Sequence, residues 1–235
     1  MYFLSALALL SILPVPVRDT PAPGKALAHF PLVGAILGAL LTAAFYISHA
    51  IFSDPVPAAL TLTFWAILTG ALHLEAVADA GDGLLSTVRR EKRLEIMRDP
   101  RIGAFGVIAV ALVLLLKFST LVSMHNYLFL VLAPILGRWA MTFAAAFPSA
   151  REDGMAAKFR EGFGRREIFI STLFAAVASG AFGWRGLTAW VAATLVALVI
   201  ARIALTRLGG LTGDVYGAVG ELVEVTVLSF GASAL

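Results

Sequence analysis

Long apolar stretches alternate with short charged segments along the whole chain. Seven stretches approach or reach the roughly 20 residues that a transmembrane helix needs, and they cover residues 30–52, 57–74, 104–121, 127–147, 168–182, 187–202 and 215–230. The fifth and sixth stretches are short, and the Gly-Trp-Arg-Gly segment at 183–186 predicts a tight hairpin between them. We therefore predict seven membrane-spanning helices.

The first 17 residues form an eighth apolar segment of a different kind. It contains no Lys or Arg and no small-residue cleavage site, so it does not resemble a secretory signal. Pro14 and Pro16 end the segment before it reaches the length of a span. We predict a retained helix that dips into the membrane or crosses it at a slant.

Composition supports the membrane assignment. Of the 235 residues, 60% are hydrophobic and 14% are charged, and the mean hydropathy is +0.90, whereas an average soluble domain has about 25% charged residues. The fold class predicted is all-α, a polytopic membrane protein with one integral domain over residues 1–235. The chain has no Cys, which excludes disulfides, thiolate metal sites and thiol nucleophiles.

Basic residues cluster in alternate connections between the apolar stretches, while the other connections carry almost no charge. The clusters are Arg18 and Lys25 before the first stretch, Arg89, Arg90, Lys92, Arg93, Arg98 and Arg101 after the second, Arg151, Lys158, Arg160, Arg165 and Arg166 after the fourth, and Arg202 and Arg207 after the sixth. The positive-inside rule places these connections in the cytoplasm. The net charge of +3 therefore reflects cytoplasmic loops of an inner-membrane protein, and nucleic acid is not an expected partner.

We predict that the helix of the second apolar stretch continues and becomes acidic at its end, where it carries three carboxylates. Glu75, Asp79 and Asp82 are spaced i, i+4 and i+7, so they lie within roughly 60° of one another on a single face. Three crowded anions repel each other unless a cation lies among them, and oxygen ligands suit Mg²⁺. We interpret them as metal ligands, and the alternative is a solvated helix end.

The segment at residues 93–103 and Arg138 offer cations for phosphate. Arg98 and Arg101 could pair with phosphate oxygens, and Asp99 forms an i, i+4 acidic pair with Glu95. The alternative for this segment is an amphipathic loop helix that is salt-bridged to itself or to lipid headgroups. Arg138 lies within an apolar stretch and needs a carboxylate or phosphate partner, or it is a structural residue.

A second acidic series opens the last stretch. Gly210, Thr212 and Gly213 precede it, and free backbone N–H groups at such a helix N-terminus could bind an anion. The acids that follow are Asp214, Glu221 and Glu224. Two acidic series on different helices indicate a two-metal site or a site for a metal and a nucleotide.

Together these motifs resemble the cobalamin synthase family, adenosylcobinamide-GDP ribazoletransferase, over nearly the whole chain. They are SILPVP at 11–16, FPLVG at 30–34, HLEAVADAGDG at 73–83, LEIMRDPRIG at 94–103, AREDG at 150–154 and GGLTGD at 209–214. The chain departs from the family pattern at four positions: Glu75 replaces an Asp, Ala76 a Gly, Pro100 a Ser, and Ile12 a basic residue.

The resemblance implies a Mg²⁺-dependent last step in assembling the nucleotide loop of coenzyme B12. The substrates would be adenosylcobinamide-GDP and α-ribazole or its 5′-phosphate, and GMP would leave. The site that suits this reaction holds one or two Mg²⁺ on Glu75, Asp79 and Asp82, with Asp214 or Glu221 opposite. Asp79 and Asp82 are therefore also the predicted catalytic residues. Arg98, Arg101, Arg151 and Lys158 would clamp phosphate, and Asp99 or another carboxylate would take the hydroxyl proton. The expected partners are these substrates and the bilayer, and a homo-oligomer is left open.

Two other functions fit parts of the pattern. A CDP-alcohol type phosphotransferase also holds metal with spaced Asp residues, but the run after Asp82 lacks the expected Asp-Gly-Ala-Arg order. A cation-coupled transporter would place its carboxylates near the middle of the membrane. Most of the acids here lie at the predicted cytoplasmic ends, which argues against transport.

Overall fold

The computed structural model describes residues 1–16 and 21–233, and in these residues the chain is helical with no named strand. The α-helices are α1 (Tyr2–Leu10), α2 (Phe30–His49), α3 (Val56–Leu68), α4 (Leu72–Leu85), α5 (Arg90–Ile96), α6 (Ala104–Val122), α7 (Phe129–Ala144), α8 (Met155–Phe159), α9 (Arg165–Ala181), α10 (Gly183–Leu208) and α11 (Gly213–Ala232), and a 3₁₀ helix (Pro23–His29) precedes α2. The predicted all-α membrane fold is confirmed. The predicted hairpin between α9 and α10 also forms, because these helices pack together.

Helix length sets the number of spans. Four segments are long and apolar enough to cross a membrane: the 3₁₀ helix with α2, and α6, α10 and α11. Helices α3 and α4 pass that test only as a bent pair, and α7 and α9 have 16 and 17 residues, less than the roughly 20 that a straight span needs. Each of the seven predicted stretches is helical, but length and composition support four or five spans.

Helix α1 is too short to cross the membrane. Its nine residues extend about 14 Å, half of the hydrocarbon thickness. By itself α1 therefore has the length of a helix that dips into the membrane, which is one of the two predicted arrangements. The slanted crossing, the other prediction, would need residues beyond α1 as well. After α1 the chain is extended, and the Ile12 backbone N–H donates to the Leu68 carbonyl at 2.9 Å.

A sharp corner separates α3 from α4 within the second predicted span. Gly70 and Ala71 both have left-handed backbone angles, with φ of 61° and 54°, and such residues end helices. The axes of α3 and α4 differ by 87°. The prediction of one apolar helix that becomes acidic at its end is therefore wrong. The acids lie on a separate helix, α4, which packs against α6 and α11 in the interior.

Small residues bring the central helices close together. Helix α7 packs most extensively against α2 and α11. A Cβ atom on Gly34 of α2 would lie 2.4 Å from the Pro134 carbonyl oxygen, and one on Gly38 would lie 2.7 Å from the Val131 Cα. Glycine is required at these crossings because the backbones are in contact, as is common where membrane helices pack.

The basic connections meet at one end of the bundle. Ala150 N donates to the Leu211 carbonyl at 2.9 Å, and an ion pair joins Arg98 to Asp153 at 2.7 Å. At the opposite end, Arg185 Nη2 donates to the Ser233 carbonyl at 3.0 Å. This separation agrees with the predicted charge alternation, but Arg18 lies outside the described residues.

Candidate active site

Two adjoining cavities lie at the basic end of the bundle, and Glu75 and Asp79 line both. The larger, which we call the polar cavity, has a volume of about 530 Å³ and is also lined by Met97, Arg98, Asp99 and Pro100. The smaller, which we call the apolar cavity, has a volume of about 250 Å³ and is also lined by His73, Met141, Met155, Phe159, Asp214 and Tyr216. Two of the predicted metal ligands thus form the boundary between two chambers.

Helices α4 and α11 bring three carboxylates to this boundary. Glu75 and Asp79 are one turn apart on α4, and Asp214 lies in the first turn of α11. The Asp79 carboxylate interacts electrostatically with both other acids and with the Arg151 guanidinium. We call these three carboxylates the acidic boundary, and together they attract a cation strongly.

The Gly-rich segment before α11 has structural contacts that account for most of its residues. Thr212 is the N-cap of α11, and its hydroxyl oxygen accepts from Val215 N at 3.3 Å. A Cβ atom on Gly210 would lie 2.5 Å from Ala150 N, so this glycine permits the contact between two loops. Gly213 lines the apolar cavity. Of the three residues predicted to bind phosphate, only Gly213 reaches the site.

Asp82 lies outside both linings and caps a helix instead. Its two carboxylate oxygens accept backbone N–H groups at the start of α6, from Gly103 at 2.7 Å and from Gly106 at 2.8 Å. A Cβ atom on either glycine would lie within 2.5 Å of an Asp82 carboxylate oxygen. The carboxylate satisfies orphan donors and the positive end of the helix dipole. These contacts explain Asp82 without the predicted catalytic or metal-binding role.

We expect Asp82→Asn to act mainly on stability. An amide retains only one acceptor oxygen, so one buried N–H of α6 loses its partner at a cost of about 1–3 kcal/mol. Thermal unfolding in detergent should show a lower midpoint, while the protein that remains folded keeps its turnover. A variant that is as stable as the parent yet inactive would restore the catalytic interpretation.

The loop after α5 places Arg98 at the polar cavity and Arg101 outside its lining. Arg101 donates to the Asp99 carboxylate from Nε at 2.9 Å and from Nη2 at 2.7 Å. These bonds hold the pKa of Asp99 well below its usual range. A carboxylate with so low a pKa is a poor proton acceptor, which argues against the predicted role of Asp99 as the base.

The loop after α7 places a second cation near the site: Arg151 lines neither cavity but interacts electrostatically with Asp79 and Asp214. Arg151 Nη2 donates to the Leu94 carbonyl at 2.7 Å, which ties this loop to α5. Burial lowers the pKa of Arg151, and the nearby Arg98 lowers it further, yet a guanidinium remains charged at neutral pH. Lys158, the other predicted clamp on this side, is exposed and does not line either cavity.

Glu221 and Glu224 belong to a buried ion-pair cluster and not to the acidic boundary. Lys117 Nζ donates to Glu221 at 2.7 Å and to Glu224 at 2.5 Å, and Arg138 pairs with Glu224. Arg138 also contacts His73 Nδ1, at 3.3 Å. The cluster lies within the membrane-length part of α11, seven and ten residues beyond Asp214, or about 10–15 Å along the axis. Metal ligation by these glutamates and phosphate binding by Arg138 are therefore not supported.

Lys117 is the residue that the sequence analysis missed. It is 2% exposed, and its ammonium lies 4.0 Å from the Trp65 ring centroid. A signal was present, because Lys117 is the one charged residue in the stretch 104–121. A charge inside a membrane helix predicts a partner of opposite sign.

The acidic boundary suits Mg²⁺ only in combination with a substrate. Within residues 1–16 and 21–233, no three carboxylate, imidazole or thiol side chains form a ready metal site. Mg²⁺ commonly binds one or two carboxylates together with substrate phosphates. Glu75 and Asp79 supply such a pair beside a cavity that contains Arg98.

Comparison with known proteins identifies the family. The family described as Cobalamin-5-phosphate synthase matches residues 2–232. The chain is 40% identical to adenosylcobinamide-GDP ribazoletransferase of Pseudomonas putida (strain W619) over 96% of each chain. It is 36% identical to the protein of that name from Roseiflexus sp. (strain RS-1), over 95% of this chain and 86% of the relative.

A third relative gives the same result. The chain is 34% identical to adenosylcobinamide-GDP ribazoletransferase of Desulforamulus reducens, over 95% of this chain and 92% of the relative. No solved structure matches significantly. These matches identify an enzyme, which overturns the transporter alternative, and they confirm the resemblance carried by the six motifs. The chain belongs to the cobalamin-5-phosphate synthase family.

Proposed function

We propose that this enzyme joins α-ribazole, or its 5′-phosphate, to adenosylcobinamide-GDP and releases GMP. The product is adenosylcobalamin or its 5′-phosphate. The names of the relatives support this reaction. The observation that carries it is the pair of adjoining cavities that share Glu75 and Asp79, because such a pair can hold two substrates on either side of a reacting phosphorus.

The reaction is one phosphoryl substitution. The 3′-hydroxyl oxygen of the riboside forms a bond to the phosphorus nearest the corrinoid, and the bond from that phosphorus to the bridging anhydride oxygen breaks. GMP leaves with the bridging oxygen, and the hydroxyl proton passes to a base. Catalysis here consists of positioning the two substrates and stabilising negative charge.

Arginine side chains orient the diphosphate in this proposal. Arg98 lines the polar cavity, and its guanidinium can form paired hydrogen bonds to phosphate oxygens. To do so it must leave Asp153, with which it forms an exposed ion pair of little stability. Arg151 lies near Asp79 and Asp214 and adds a second positive charge.

Glu75 and Asp79 would hold Mg²⁺ at the boundary, where the metal supplies positive charge that neutralises the diphosphate. Asp214 lines the apolar cavity and is absent from the lining of the polar one. One of its oxygens accepts from the Thr212 hydroxyl at 3.2 Å. We assign its other oxygen as the acceptor of the hydroxyl proton, in place of the predicted metal ligation.

The active site faces the cytoplasm in this proposal. The basic loops that surround both cavities are those that the positive-inside rule places on the cytoplasmic side of the inner membrane. Adenosylcobinamide-GDP carries a charged diphosphate and would reach the site from that compartment.

The test is a transfer assay with the purified protein in liposomes. We expect equimolar GMP and complete corrinoid when adenosylcobinamide-GDP and α-ribazole are both present, and neither product when one is omitted. A chelator should abolish the reaction and added Mg²⁺ should restore it. Product formation from a CDP-alcohol in place of the corrinoid substrate would contradict the proposal.

A further inference from the structure

The walls of the apolar cavity suit a flat apolar group. Phe159 and Tyr216 are buried side chains that line it, and their rings are nearly parallel, with centroids 6.5 Å apart and an interplanar angle of 21°. Met141 and Met155 complete the wall with flexible thioethers, which pack well against aromatic rings. A planar heteroaromatic base would contact rings and thioethers on this side.

The charges of the apolar cavity disfavour the diphosphate of the corrinoid substrate. Among the described residues that line it, there are three carboxylates, Glu75, Asp79 and Asp214, and no Lys or Arg. A diphosphate placed there would meet three carboxylates, and the nearby Arg151 guanidinium lies outside the lining. The polar cavity has twice the volume and is lined by Arg98, so the diphosphate fits the polar cavity better.

A single uncharged polar group completes the apolar wall. His73 lines the cavity, and its Nδ1 lies 3.3 Å from Arg138 Nη2. A guanidinium can only donate, so Nδ1 is the acceptor and the proton of the neutral ring is on Nε2. The Nε2–H group of His73 can therefore donate a hydrogen bond to a ligand oxygen or ring nitrogen. In this tautomer neither ring nitrogen is free to accept a proton, so His73 is not the base.

On these grounds, and resting on the proposed function, we propose that the apolar cavity is the binding pocket for α-ribazole, a benzimidazole riboside, and that its selectivity for the base is set by Tyr216, Phe159 and Met155. The base lies against the aromatic wall, and the ribose hydroxyls point to the carboxylates at the boundary. The polar cavity then receives the diphosphate of the second substrate. This arrangement places the attacking hydroxyl on the Asp214 side of the boundary.

A substitution at Met155 tests the pocket without disturbing the packing of the core. It is 44% exposed at the edge of the cavity, so Met155→Trp should fold and partly fill the space for the base. We expect the KM for α-ribazole to rise about tenfold, the size of effect that the loss of one good aromatic contact produces. The KM for adenosylcobinamide-GDP should stay unchanged. Val88→Trp adds the same ring at an exposed residue that lines neither cavity, so it is the matched control and should leave both constants near those of the parent.

Two further variants test which cavity binds which substrate. Tyr216→Leu removes a ring from the apolar wall and should raise the KM for α-ribazole. Arg98→Ala removes the cation of the polar cavity and should raise the KM for adenosylcobinamide-GDP only. The reverse pattern, in which Met155→Trp affects only the corrinoid substrate, would overturn the assignment while leaving the proposed reaction intact.

Equilibrium dialysis with labelled α-ribazole alone tests the pocket independently of turnover. The parent should bind the riboside, Arg98→Ala should bind it equally, and Met155→Trp should bind it about tenfold more weakly. Equal binding by the parent and Met155→Trp would overturn the assignment. Absence of transfer by a parent protein that binds α-ribazole would instead contradict the proposed function.

Discussion

Asp79→Asn is expected to lower the turnover of the transferase about 10²–10³-fold, the range that follows the removal of one electrostatic group at a reacting centre. Asp79 lines both cavities and is close to Glu75 and Asp214. An amide keeps the shape of the side chain but removes the negative charge that would hold a cation. The measurement is the initial rate of GMP release at saturating concentrations of both substrates.

The fold should survive this substitution. Asp79 forms no hydrogen bond or ion pair within the part of the chain that the structure describes. Glu95→Gln is the matched control, because Glu95 is an exposed acid of α5 that lines neither cavity and pairs with Lys92 at 2.8 Å. It should keep nearly full activity. Unimpaired turnover by Asp79→Asn would refute the assignment of the acidic boundary.

Lys117→Met should destabilise the protein by about 3–5 kcal/mol, the cost of breaking a buried ion pair by removing one partner. Lys117 bonds to both Glu221 and Glu224, which are almost fully buried. Without the ammonium, Glu221 loses its ion pair and keeps only the more distant attraction of Arg138. Glu224 keeps its ion pair with Arg138. Thermal unfolding in detergent, together with the yield of monodisperse protein, measures the effect.

The control for this prediction is Lys92→Met, which breaks an exposed ion pair worth about 0–1 kcal/mol. Adding Glu221→Gln to Lys117→Met should recover part of the lost stability, because the uncompensated charge is removed. If Lys117→Met unfolds at the same temperature as the parent, the cluster does not stabilise the packing of α6 on α11.

The hydrophobic pattern predicted the helices well because helix formation in a membrane is decided locally. Each backbone N–H and C=O must form a hydrogen bond within its own segment, so an apolar stretch in the membrane forms a helix. The pattern did not show the corner at Gly70 and Ala71. One Gly in an apolar stretch is common in membrane helices, and only the packing of α4 between α6 and α11 shows why the chain turns there.

The sequence predicted which acidic residues are candidates for the site, but not which groups each carboxylate contacts. Helical spacing correctly placed Glu75 and Asp79 together on α4. The same spacing grouped Asp82 with them, yet that carboxylate reaches the N-terminus of α6. Spacing along one helix gives the face on which a side chain lies and carries no information about the element packed against it.

The sequence by itself determined the helical membrane architecture, the family and the acidic motif on α4, because these depend on local hydropathy and on ordered motifs. The tertiary structure decided which charges meet. It joined Lys117 to glutamates more than 100 positions away and brought Asp214 to the same cavity as Glu75. Charge pairing in the interior depends on distances between helices. Close contacts that only the folded chain reveals set these distances, such as that of Gly217 in α11 with Ala76 in α4.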